Sequence, residues 1–225
     1  MKKACFIEME GVLLPFGSYV SDKVRVKKFL KALRDFCRKN KIILYLVSGH
    51  HSSVASQLLK KSKLHSFFSK NNFFCVSDEY ISKKADADKK LHLDALAKDP
   101  GFVDSYFKQV LIQEKLVELN LLQKDVLLLS DDVWVDGYYT TRFSNVDFAI
   151  FEGNICDRGK KVSRIQGLAY FNFDFSSVES LLRDFPVVDY SFLDRYVFNE
   201  MKKVLVGESV QDSIRKRLLR RAGVV

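Results

Sequence analysis

Two stretches of the chain, KIILYLVSGHH (residues 41–51) and DVLLLSDD (125–132), are runs of consecutive apolar residues that stop abruptly at polar ones. An apolar run too short for a helix, bounded by polar residues, is the pattern of a strand covered on both faces, as in a parallel sheet under helices. FFCVS (73–77) and VDFAIF (146–151) have the same character, and CFIEMEGVLLP (5–15) opens with one. Between them lie segments of helical period. Val26, Phe29, Leu30, Leu33, Phe36 and Cys37 share one face of a helix that starts with Ser21 or Asp22 as its N-cap. A second helix is predicted over about 52–64, a third over 104–120 (DSYFKQVLIQEKLVELN), and SSVESLLRDF (176–185) reads as a short closing helix. Strands alternating with helices predict a Rossmann-like parallel α/β sheet with right-handed crossovers.

CFIEMEGVLLP sets a chemical problem. Strand alternation sends the side chains of Glu8 and Glu10 to one face, two like charges side by side at a strand end. A bound cation, a basic side chain or a shared proton must compensate them. Ser48 and the pair Asp131/Asp132 also fall just past the ends of apolar strands, and in open α/β sheets the ligand crevice lies outside the carboxyl ends of the strands. The carboxylates are therefore expected to converge. Neither G-x-G-x-x-G nor G-x-x-x-x-G-K-[ST] is present, which removes the usual dinucleotide and P-loop explanations.

Composition narrows the class. With 225 residues, 47% of them hydrophobic, and 19 Phe and 9 Tyr against 3 Pro, the chain can bury a full core. No apolar stretch approaches the roughly 20 residues of a membrane-spanning helix and no signal-peptide core is visible, so a soluble, cytoplasmic protein is expected. Cys5, Cys37, Cys75 and Cys156 show no paired spacing and read as reduced thiols. The formal charge of +9 implies an anionic partner: a phosphorylated substrate, an acidic membrane surface or nucleic acid. Much of the excess sits on the first helix and in the tail SIRKRLLRRAGVV (213–225), not in one stripe interleaved with aromatics, which weakens a dedicated nucleic-acid reading.

In order and spacing, residues 4 to 184 resemble the haloacid dehalogenase (HAD) superfamily, mostly magnesium-dependent phosphatases and phosphotransferases. FIEMEGVLL stands where that family has D-x-D-G-[TV]-[LI], with Glu8 and Glu10 in place of both aspartates; LYLVSG supplies Ser48; LLLSDDVWVD supplies Asp131, Asp132 and Asp136. The family's lysine corresponds to Lys108, 23 residues before Asp131, with Lys115 the less favoured substitute. The resemblance implies a Mg2+ site formed by Glu8, Glu10, Asp131 and Asp132 with Asp136 in support, and Ser48 and Lys108 holding the phosphoryl oxygens. Glu8 would be nucleophile, and Glu10 would be acid and then base. Each glutamate carries its carboxylate about 1 Å further out than an aspartate, and misplacement of that size costs roughly 100-fold in rate.

Two functions follow: a magnesium-dependent phosphohydrolase working through an E-x-E motif, on a phosphorylated side chain of a protein; or an impaired pseudo-phosphatase binding a protein, an anionic membrane or nucleic acid. There is little room for a cap domain. A small insertion at about 78–104 is the one place for a lid, and an open site suits a macromolecular substrate. The α/β domain is expected to span 1–185. Residues 186–225 form a helical basic extension whose last segment, with Val210, Ile214, Leu218 and Leu219 on one side and arginines around them, suits an anionic membrane or a partner protein.

Overall fold

A computed structural model describes residues 1–14, 23–76, 83, 85–87, 90, 100–152 and 165–193. Six strands, β1 (Ala4–Glu8), β2 (Ile43–Ser48), β3 (Phe73–Cys75), β4 (Val126–Ser130), β5 (Asp147–Phe151) and β6 (Ala169–Phe171), form one sheet in the order β3-β2-β1-β4-β5-β6. Every pairing is parallel, with Ala4 opposite both Ile43 and Val126. The chain is thus a Rossmann-like α/β fold. Strand order reverses between β1 and β4, so a crevice opens at their carboxyl ends, where Glu8 and Ser130 sit.

Helices cover both faces. The α1 helix (Lys23–Lys39) buries the six apolar residues its period predicted, and packs with α2 (Ser52–Lys61) and α4 (Phe175–Arg183) against Ile7, Leu46 and Leu129. On the other face α3 (Pro100–Glu118) presses Phe107, Leu111 and Ile112 onto Phe6, Tyr45, Leu128 and Phe148. The helix begins earlier than its apolar period indicated because Pro100 serves as a first-turn residue, where a missing N–H costs nothing. The α2 helix stops at Lys61 rather than 64, capped at Ser62, and the chain turns at Lys63 with φ +57°. Strand β6 was not anticipated; AYF is short and sits among polar residues, and its pairing with β5 is what makes it a strand.

The predicted cap of α1 at residues 21–22, the insertion up to residue 99 apart from 83, 85–87 and 90, Cys156 and the two C-terminal helices lie outside the described residues; 100–104 form the start of α3. The first part of the extension belongs to the body. Leu193 is fully buried on the α3 face, and the Tyr190 hydroxyl accepts a hydrogen bond from the Phe148 N–H (3.1 Å). Among the described residues no helix is long and apolar enough to cross a membrane.

Candidate active site

Strand β1 ends at Glu8, and from Met9 the chain turns: Met9 accepts from the N–H groups of Leu13 and Leu14, and Gly11 donates to Leu14. Strand alternation therefore ceases before Glu10, and the two glutamates acquire separate partners. Gly11 holds φ +79°, and a Cβ there would lie 2.2 Å from the Asp131 carboxylate. The position demands glycine for both reasons, and the close approach seats Asp131 directly against the β1 turn.

Glu8 is 5% exposed and both its oxygens are engaged. Oε1 accepts from the Lys108 ammonium, and Oε2 lies in hydrogen-bonding distance of Ser130 Oγ. Lys108, on the sheet-facing side of α3 and 2% exposed, also donates to Asp136 Oδ1 at 3.0 Å, while Ser130 Oγ meets Asp136 Oδ2 at 2.5 Å. Ser130 Oγ further accepts from the Asp132 N–H at 3.3 Å. A hydroxyl has one hydrogen to give, so with two carboxyl oxygens beside it one carboxyl must donate in return. The quartet therefore holds one acid proton. One carboxylate, one carboxylic acid and the ammonium make it electrically neutral, the state a buried group of this kind requires. Burial, and next the neighbouring Asp136 charge, hold the Glu8 carboxyl well above the usual range; Lys108 opposes them and does not prevail.

Glu10 turns toward β2. Its Oε1 accepts from the Ser48 hydroxyl (2.6 Å) and lies 3.5 Å from His50 Nε2, while Ser48 Oγ accepts from the His50 N–H. Its Oε2 is buried with no hydrogen-bond partner among the described residues. Burial raises the Glu10 carboxyl, opposed first by the Ser48 hydrogen bond and then by His50. The two carboxyls are thus compensated in different ways. A lysine and a shared proton serve Glu8; a hydroxyl and a histidine serve Glu10.

Comparisons with known proteins bear on the scaffold only. No family model and no curated protein matches the chain. Among solved structures, the yhjK protein of Bacillus subtilis, described as a haloacid dehalogenase-like hydrolase, overlays on 80% of this chain and 90% of its own, with 8% identity and a TM-score of 0.45. So loose an overlay places no side chain.

The structure gathers Glu8, Lys108, Asp136 and Asp131 around the ends of β1 and β4, and Ser48 with Glu10 beside them at the end of β2. Lys115 is elsewhere, paired with Glu118 and lying over the Phe74 ring at 5.2 Å. Asp132 contributes through its backbone, its carbonyl accepting from Asp136 and Gly137 to close the π-helical turn Val133–Tyr138. His51 caps α2 by accepting from the Ser53 N–H, and Tyr138 packs edge-on to Tyr139. The sequence reading missed Ser130. Its only signal was a hydroxyl at the last position of an apolar strand, directly before the acidic pair. His50, whose imidazole lies 3.5 Å from Glu10, was not among the candidates either.

Magnesium takes six oxygens, commonly one or two carboxylates plus water. Glu8, which the motif resemblance makes the principal ligand, has spent its oxygens on Lys108 and Ser130 and does not fit that part. Among the described residues no three His, Cys, Asp or Glu side chains form a ligand group. The oxygens that suit a hard cation are Glu10 Oε2 and the Asp131 carboxylate beside Gly11.

Proposed function

We propose that this chain is a HAD-like module whose phosphatase chemistry is impaired, and that it acts by binding. The observation that carries the reading is the capture of both Glu8 oxygens. A carboxylate that attacks phosphorus must present an ionised oxygen to the incoming group. Glu8 faces an ammonium and a hydroxyl, is buried, and favours its protonated form. Glu10, the acid–base candidate, has one oxygen fixed by Ser48 and the other enclosed. The motif order, with Ser48, Lys108 and the acidic pair retained, supports descent from a phosphoryl-transfer site, not its present use.

The second reading is a working magnesium-dependent phosphohydrolase. It is favoured by Glu10 Oε2, a buried oxygen short of a donor, and by Asp131 against the β1 turn. In that case the cation would neutralise phosphoryl oxygens. Lys108 and Ser48 would orient them, and Lys108 would release Glu8 on substrate binding. Phosphate release from p-nitrophenyl phosphate with and without magnesium separates the two. The expected result is no turnover above an Asp131→Asn control, with activity appearing in Glu8→Asp/Glu10→Asp. Magnesium-dependent turnover by the unaltered chain, lost in Asp131→Asn and in Glu8→Gln, would overturn the proposal.

A further inference from the structure

Among the described residues the positive charge is concentrated in one part of the fold. From residue 36 to residue 77 there is no acidic residue, and α1 carries eight lysines and arginines against Asp35 alone. Helices α1 and α2 pack on the same face of the sheet, and the 3₁₀ turn His65–Phe67 touches both, so the two basic helices flank one turn on one side of the molecule. Lys28, Lys31, Arg38 and Lys39 on α1 are exposed, as are Lys60 and Lys63 at the end of α2. Among the described residues none of these six has a carboxylate partner. Like charges without counter-charges on one side of a protein attract a polyanion.

We propose that this basic side binds single-stranded nucleic acid. A helix of 17 residues is about 25 Å long and spans several phosphates of an extended strand. Phe67 and Phe68 lie half-buried at that turn, and the Arg34 guanidinium sits over the Phe67 ring at 5.1 Å. Aromatic and guanidinium planes flanked by cations are what unpaired bases stack on, and a duplex keeps its bases out of reach. A bilayer is the poorer match. Surface-seeking helices insert an apolar face, whereas here the apolar face of α1 is consumed by the core from Val26 to Cys37. The inference goes beyond the reading of the strand-end site and stands whether or not that site turns over.

The test is fluorescence anisotropy of the full chain with a labelled oligouridylate of about 20 nucleotides, over a range of KCl concentrations. Lys28→Glu/Lys31→Glu and Lys60→Glu/Lys63→Glu are each expected to weaken binding at least about tenfold. The slope of log affinity against log salt should fall by roughly 1 to 1.5, two phosphate contacts at about 0.7 each. Lys28→Gln/Lys31→Gln repeats the test without new acidic groups, and unchanged melting curves show that all variants fold. The proposal falls if these variants bind like the parent chain, whatever happens to an Arg217→Glu/Arg220→Glu/Arg221→Glu variant of the tail. It falls equally if a duplex of the same length, or phosphatidylserine vesicles, bind more tightly than the single strand.

Discussion

Glu8 and Glu10 are the same side chain two positions apart, and the fold treats them in opposite ways. Glu8 is the last residue of a central strand, flanked by β2 and β4 and nearly fully buried, and each of its carboxyl oxygens is answered by a protein group. Glu10 belongs to a turn at the rim, where its neighbour His50 has a side chain 41% exposed. Crossing the end of a strand hands the second carboxyl to a different set of partners, Ser48 and His50 on the β2 side.

The largest effect that could break this contrast is on the buried side. Replacing Lys108 with Met leaves two carboxyls with one proton and no cation, and removal of one partner from a buried ionic set costs about 3–5 kcal/mol. Urea denaturation should show a loss of that order; a loss under about 1 kcal/mol would mean that water reaches the cluster. Next comes Gly11→Ala, which adds a methyl against Asp131 to a backbone at φ +79°. Strain of that kind is worth about 1–3 kcal/mol, read as a lowered melting temperature.

A subtler test concerns pH. Because the Glu8 carboxyl is raised in the folded state, its contribution to stability is fully present below its unfolded value of about 4.3 and is lost as pH rises through the raised one. Glu8→Gln, which keeps the shape and cannot ionise, should flatten that decline, and melting temperatures between about pH 4 and 8 would show it. A decline as steep as in the parent chain would assign the shared proton to Asp136 instead. The smallest effect belongs to the rim. His50→Ala removes a partly exposed neighbour of the Glu10 carboxyl and should cost under about 1 kcal/mol, detectable as a small shift in the urea midpoint.

Several features were legible in the residues alone. The buried face of α1 follows from its period, since side chains three and four apart must lie together on a helix. The parallel sheet follows from apolar runs without alternation, and the meeting of residues 8 and 131 at one rim follows from their places at strand ends, whereas Asp136 was indicated only by the family resemblance. Strand β6 escaped because three residues carry no period of their own, and its order is supplied by hydrogen bonds to β5. The expected adjacency of Glu8 and Glu10 failed because alternation holds only while the strand continues, and the strand stops at Glu8.

The sequence by itself settled that β1 to β5 and α1 to α4 form, and on which edge of the sheet the polar groups collect, because those outcomes depend on periodicities that repeat within a few residues. Only the tertiary structure decided how each charge is balanced. Lys108 reaches Glu8 across 100 positions of chain, and Ser130 is joined to it through a neighbouring strand. Such contacts are set by the height of one helix above a sheet and by single side-chain rotamers, and those depend on the packing of the whole core.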